Sequence, residues 1–381
     1  MLSRVPTNAI PVREGTVSAN ADDAATLEPV SLSGFEGTRD EWSPLAERAG
    51  NLFSTWEWAS TWWSHFGRGD LQLTGCRRRD GSLAGILPLY LSSSGPLRVV
   101  RLVGHGPADQ LGPICALAER ERVADALRRT LSGHLPRWDI FLGERLPCPE
   151  RWDDLLAAGP VRRESSPTLS TADMSWEDFL ASRSANFRQQ VRRRERRLIR
   201  DHSIRFRLSD DPSCLDRDLD SLFRLHTARW SAQDSGSFAE DHSAFHRSFA
   251  KLALERGWLR LWLAEADGRA VAAWYGFRFA NADWYYQAGR DPAWDQTSVG
   301  AVLFALTVRE AMRDGMQEYK LLLGDEPYKA RFTQEDPGVE TVALAGGAVG
   351  RWALTGARYL RRFPASRRLL SRAGRSQGLV D

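Results

Sequence analysis

The chain has 381 residues, 42% of them hydrophobic and 27% charged, with a formal net charge of +3. That length exceeds one ordinary core and points to two domains or two half-domains, and the near-balanced charge excludes a molecule that binds polyanions over its whole surface. Four scattered cysteines, Cys76, Cys115, Cys148 and Cys214, form no C-x-x-C pair, which argues for reduced thiols and against a zinc ribbon or a disulfide scaffold.

Residues 1–27 are rich in Ala, Thr, Asn and Asp and lack the basic-then-apolar order of a signal peptide. They read as a disordered lead-in. No apolar run approaches the roughly 18 residues of a membrane span. These features together predict a cytoplasmic monomer.

The first folded half is expected over residues 28–170. It begins with helical material at Trp56–Phe66, where Trp56, Trp58, Trp62 and Trp63 recur with helical spacing. Most of these rings belong in a core, and Trp56 is a candidate wall of a substrate cleft. Two runs, 71–74 and 83–91, flank Asp80-Gly81 and form a hairpin signal. A third strand over 97–103 leads through a Gly-rich loop, Gly104-His105-Gly106-Pro107-Ala108-Asp109, to a helix over 117–131 and a strand over 138–142. Asp109 in that loop is a substrate-side candidate.

A basic helix joins the halves. Phe187, Val191 and Leu198 fall on one helical face, arginines surround them, and Ser184 stands at a capping position. A solvated face is one reading of the arginines, and a phosphate-rich partner is the other.

The second half, residues 171–340, repeats the first. Helices are expected over 215–230 and 244–256. Runs over 259–263 and 271–279 flank Asp267-Gly268, a third strand covers 283–288, a loop leads to a helix over 298–313, and a strand covers 318–323. The order β-β-β-loop-α-β thus occurs twice, as expected of a duplicated α/β unit. The segment 341–381 follows as a basic amphipathic tail, with eight arginines and no Asp or Glu between Thr341 and Val380. Packing on the body is the first expectation for it, and peripheral contact with an anionic membrane face is the second.

A loop that feeds a helix N-terminus presents backbone N–H groups to a pyrophosphate. Gln296, Thr297, Ser298, Val299 and Gly300 are the candidates here, with an ordinary helix cap as the alternative. After the apolar run ending at Leu323 comes Gly324-Asp325-Glu326-Pro327-Tyr328-Lys329. Only Lys251, Lys320 and Lys329 are lysine among 52 basic residues. A lysine just past a strand suggests a place for a compact ammonium rather than a guanidinium fork. Asp325 is a candidate to orient or deprotonate an amine, or to cap a following helix. His242 and His246 are four residues apart but lack the Glu of H-E-x-x-H, so no metal site is expected.

The second half resembles the acyltransferase domain of the CelD-like, cellulose-biosynthesis-associated family, a branch of the GNAT superfamily. The resemblance rests on Leu225-His226-Thr227-Ala228-Arg229-Trp230, Asp267-Gly268, Tyr286-Gln287-Ala288-Gly289-Arg290-Asp291, Ser298-Val299-Gly300 and the block ending Tyr328-Lys329. Phe53-Ser54-Thr55-Trp56-Glu57-Trp58, Pro88-Leu89 and the Arg192–Leu198 stretch add to it, so it covers about residues 45–340. Val299 departs from the proline that the family usually has before its glycine. The long Gly-rich pyrophosphate loop of typical GNAT enzymes is also reduced in this branch.

The resemblance implies two tandem GNAT-like halves, each a mixed sheet flanked by helices, and an N-acyltransferase that uses acetyl-CoA or another acyl-CoA. It implies an amino-bearing small-molecule or glycan-precursor acceptor and a link to cell-surface polysaccharide. Tyr328 would protonate the leaving thiolate, Lys329 would hold a phosphate or the oxyanion, and Arg229 and Trp230 would lie on the substrate side. The related FemABX proteins share the doubled fold but draw on aminoacyl-tRNA, which is the alternative donor and the only nucleic acid in view. A non-catalytic accessory protein of a surface-polymer system is the third reading.

Overall fold

The computed structural model describes residues 26–230 and 240–361. Two mixed sheets carry the chain. The first runs β1 (Glu28–Ser31), β2 (Asp70–Arg77), β3 (Leu83–Ser94), β4 (Leu97–Leu102), β6 (Ile140–Pro147), β14 (Val339–Ala345), β7 (Pro160–Glu164), with β5 (Ile114–Cys115) paired to β3. The second runs β8 (Thr168–Ser170), β13 (Glu318–Lys320), β12 (Ala282–Arg290), β11 (Arg269–Phe279), β10 (Leu259–Ala266), β9 (Arg205–Leu208).

The repeat is visible in the pairing. β2, β3 and β4 form an antiparallel meander, and β4 then pairs in parallel with β6 after the crossover helix α3 (Arg120–Arg129). β10, β11 and β12 do the same, and β12 pairs in parallel with β13 after α9 (Val299–Arg313). Turn chemistry sets both hairpins. Asp267 and Gly268 take φ of 50° and 76°, the left-handed pair that a two-residue hairpin loop requires. In the first half, Asp80 accepts hydrogen bonds from the N–H and hydroxyl of Ser82 at 2.9 and 2.6 Å.

The remaining helices are α1 (Arg39–Ala49), α2 (Trp56–Phe66), α4 (Trp152–Leu155), α5 (Trp176–Ser182), α6 (Ala185–His202), α7 (Leu215–Trp230), α8 (Glu240–Glu255) and α10 (Ala348–Arg361). α6 is the expected basic helix. Ser184 caps it by accepting from the Phe187 N–H, and Phe187 and Leu198 are buried.

α2 supplies the seam between the halves. Trp58 is fully buried and packs edge-on at 4.7 Å against Phe53 and against Phe249 of α8. Beside it the buried Glu57 carboxylate accepts from Arg39 at 2.8 Å and from Arg256, just past α8, at 2.6 Å. One buried charge held by two guanidinium groups ties the halves together.

Three expectations change. The strand expected over 318–323 ends at Lys320, because Leu322 and Gly324 take positive φ and turn the chain away. β8, drawn within the first half, joins the second sheet beside β13. The first five residues of the expected tail belong to β14, which returns to the first sheet between β6 and β7 and buries Val339 and Val342. Residues 1–25 of the expected lead-in and 362–381 of the tail lie outside the described residues.

Candidate functional site

β12 and β13 pair over only three residues, 282–284 against 318–320, and then part. A bulge accompanies the split. Tyr275 faces Gln287 and Gly276 faces Tyr285, which leaves Tyr286 as the extra residue on β12. Gly276 permits this, since a Cβ there would stand 2.2 Å from the Trp284 carbonyl oxygen. The bulge sends Tyr286 into the seam, where its hydroxyl donates to the Pro107 carbonyl of the first half at 2.9 Å. Gly289, further along β12, lies against the backbone of α7. A Cβ there would sit 2.4 Å from the His226 nitrogen.

A cavity of about 330 Å³ opens beside this split. Ala273, Trp274 and Tyr285 of the sheet line it, with Phe187, Val191 and Arg194 of α6. Ser298, Gly300, Ala301 and Phe304 come from the first turns of α9, and Tyr328, Arg331 and Phe332 from the chain after β13. The interior is therefore largely aromatic and aliphatic. A helix start faces it, where backbone N–H groups lack intrahelical partners.

Three guanidinium groups, on Arg194, Arg290 and Arg331, stand among the lining residues. Arg290 is engaged by Asp295 at 2.5 Å. Arg331 donates to the Gln190 side chain at 3.1 Å and lies 5.2 Å from the Phe187 ring centre. Arg194 is half-buried and has no ion pair among the described residues. Burial first, then the neighbouring Arg331 and Arg193 charges, push its guanidinium below its ordinary value. An anion in the cavity would offset both effects. Tyr328 donates its hydroxyl hydrogen to the Tyr285 hydroxyl at 3.2 Å, and its ring packs 5.7 Å from Phe304.

The structure brings together only part of the expected set. Tyr328, Ser298 and Gly300 line the cavity. Ser298 begins α9 with φ of 61° and makes no capping bond with its side chain. Val299 is fully buried in the core. The Thr297 hydroxyl donates to the Trp294 carbonyl at 2.6 Å, and Gln296 is exposed in the same 3-10 turn. A Cβ on Gly300 would meet only Arg290 Cδ, at 3.5 Å, so this glycine keeps space open rather than relieving a clash.

Lys329 lies elsewhere. It is 3% exposed, and its ammonium donates to the carbonyls of Leu322 and Gly324 at 3.5 and 3.4 Å and, closely, to that of Leu323. Glu326 completes the set at 2.9 Å. With every donor taken, the ammonium stabilises the turn that leaves β13 and does not face the cavity. Asp325 is exposed, outside the cavity lining, and caps nothing. The 3-10 turn Lys329–Arg331 starts from Tyr328 without a side-chain cap.

Asp109 reaches across the seam to the same turn, accepting from the Leu323 N–H at 3.4 Å with Arg145 at 3.7 Å. Burial raises its carboxyl above the usual value, while Arg145 and Lys329 oppose that. Trp56 packs on the first half, where its indole N–H donates to the Phe35 carbonyl at 3.0 Å. The side chains of Arg229 and Trp230, at the end of α7, lie outside the described residues.

Sequence reasoning passed over Arg194, Arg331, Tyr285 and Phe332. One signal for Arg194 was present. Positions 187, 191, 194 and 198 form a continuous helical stripe, so this arginine alone shares the apolar face of α6. Among the described residues no group of three or more His, Cys, Asp or Glu could hold a metal ion. Nor is any helix among them long and apolar enough to cross a membrane.

Residues 185–330 match the family described as Acetyltransferase (GNAT) domain. No curated protein matches the chain in sequence. In fold the chain is similar to FemX, at 10% identity and a TM-score of 0.61, over 83% of this chain and 96% of that one. It is also similar to the C-terminal domain (DUF2156) of an Agrobacterium fabrum protein assigned as a lysylphosphatidylglycerol synthetase. There the identity is 11% and the TM-score 0.52, over 86% of this chain and 98% of that one. Residues 185–330 thus carry the match to an acetyltransferase (GNAT) domain, and the chain as a whole shares its doubled α/β fold with these two structures.

Proposed function

We propose that the chain is an N-acyltransferase that takes its acyl group from acyl-CoA, acetyl-CoA in the simplest case, and forms an amide on an amino-bearing acceptor. The observation that carries this reading is the cavity between α6, the split β12 and the start of α9. An apolar interior with a helix N-terminus and three guanidinium groups suits a ligand with an apolar arm and a phosphate-bearing head.

The chemistry needs little more than position and one proton donor. The acceptor nitrogen attacks the thioester carbonyl carbon, and the tetrahedral intermediate collapses by breaking the C–S bond. The nitrogen gives up one proton to water, and the departing sulfur receives one from the Tyr328 hydroxyl, which water then restores. For that transfer the Tyr328 O–H turns from the Tyr285 oxygen, 3.2 Å away, to the sulfur, and Tyr285 in turn donates to the Tyr328 oxygen. Lys329 and Asp109 position the turn on which Tyr328 rides and take no part in proton transfer.

The finer assignment to the CelD-like family, with a cell-surface glycan precursor as acceptor, rests on the motif text of both halves. A second reading has the support of the exposed arginines of α6. Arg193 and Arg196 are exposed and have no carboxylate partner among the described residues, as a FemABX-like enzyme that grips aminoacyl-tRNA would need. Native mass spectrometry of protein purified from its host separates the two. A mass increment of CoA or an acyl-CoA is expected, and retained tRNA without CoA would overturn the proposal in favour of the second reading.

A further inference from the structure

The charge of this chain is segregated along the sequence. Of its 52 basic and 49 acidic residues, eight arginines and one aspartate fall within residues 341–381, leaving 44 basic and 48 acidic residues for the rest. The body is thus net acidic and the C-terminal segment strongly basic.

α10 is seated on the first sheet by its backbone. A Cβ on Gly350 would stand 1.8 Å from the Asp139 carbonyl oxygen, so helix and sheet edge touch without a side chain between them. Two residues further on, the helical turn carries Trp352 to the opposite side, where it is 80% exposed. Val349 is 48% exposed beside it, and Tyr359, seven residues on from Trp352, is 62% exposed on the same face. Arg351 is exposed on the flank of this stripe. Five more arginines, Arg362, Arg367, Arg368, Arg372 and Arg375, follow in the sequence.

We propose that α10 forms a docking surface for an anionic lipid bilayer, with the positive charge of the sequence that follows it adding to the attraction. A tryptophan with a tyrosine one heptad after it and a valine one turn before it matches what settles at the boundary of headgroups and acyl chains. Arginines on the flank and beyond find phosphate headgroups there, each contributing to an attraction that salt weakens. A second copy of the chain fits less well, because pairing two such stripes would bring like charges together. An RNA strand would use the arginines but give Val349 nothing to contact. This inference is independent of the identity of the acyl donor.

The test uses the full chain and flotation with two kinds of vesicle, phosphatidylcholine alone and phosphatidylcholine mixed with phosphatidylglycerol. Binding is expected to the mixed vesicles only, and to weaken as salt rises. Trp352→Glu should reduce it at least about tenfold by removing the inserted ring. The melting temperature of that variant should not change, since the ring is 80% exposed. Exchange of Arg362, Arg367, Arg368 and Arg372 for Gln should reduce binding as strongly while leaving any residual binding less sensitive to salt. The proposal is overturned by absence of binding to the mixed vesicles or by full binding in Trp352→Glu. A dimer that Trp352→Glu dissociates, seen by sedimentation, would assign the stripe to a second copy instead, and tRNA that binds through Trp352 would assign it to nucleic acid.

Discussion

Tyr328 is the one ionisable group of the block 324–329 that lines the cavity. As the proton donor to a leaving thiolate it should contribute about 100-fold or more to turnover. Tyr328→Phe keeps the ring against Phe304, so steady-state kinetics should show kcat reduced by about that factor with KM for the donor little changed. An unaltered kcat would remove Tyr328 from the chemistry.

Lys329 carries the opposite lesson. Its rarity in a chain of arginines singles it out, and an ammonium is indeed what the position needs, with three carbonyls and the Glu326 carboxylate converging on one compact charge. The receptors are backbone carbonyls and Glu326 rather than a phosphate, and no feature of the sequence tells these apart. Lys329→Met should therefore act on stability, orphaning buried carbonyls at about 1–3 kcal/mol each. A thermal melt should show a clear drop for Lys329→Met and almost none for Lys251→Arg, whose side chain is 56% exposed.

Among the elements, α6 shows what periodicity can and cannot convey. Its length, its Ser184 cap and its buried stripe of Phe187 and Leu198 follow from spacing alone. Which arginines face a ligand does not, because that depends on where α9 and the turn after β13 arrive. Arg192 and Arg197 pair with Glu177 and Asp201 at 2.5 and 3.6 Å on the solvent side, while Arg194 faces the cavity. Arg194→Gln and Arg331→Gln should each weaken CoA binding about tenfold, the scale of one charge-assisted phosphate contact. Replacing Arg192, Arg193, Arg196 and Arg197 together should leave CoA affinity intact. Equal losses from both sets, measured at one salt concentration, would mean that the ligand lies along the outer face of α6.

At the scale of the whole molecule, the doubled meander was legible because Asp-Gly turns punctuate two similar runs of apolar residues. The closure of the first sheet was not. β14 comes from the far end of the chain, about 200 residues from its partner β6, and sheet pairing at that separation leaves no local trace. The acid-poor composition around it also drew 341–345 into the tail, and the irregularity between Glu340 and Val342 breaks the alternation that would have marked a strand. A chain ending at Pro337 should leave β6 and β7 unpaired along their facing edges and aggregate. A chain ending at Gly346 keeps β14 and should stay folded by near-ultraviolet circular dichroism. Equal solubility and equal spectra for the two would contradict the role assigned to β14.

The most direct measurement is calorimetric titration of acetyl-CoA into the full chain and into Gly300→Val. At Gly300 a new side chain has room in the fold but enters the cavity at the start of α9. The expected result is one site per chain in the parent, loss of binding in Gly300→Val, and the same melting temperature for both. Absence of heat from the parent, or unchanged affinity in Gly300→Val, would contradict the assignment of this cavity to acyl-CoA.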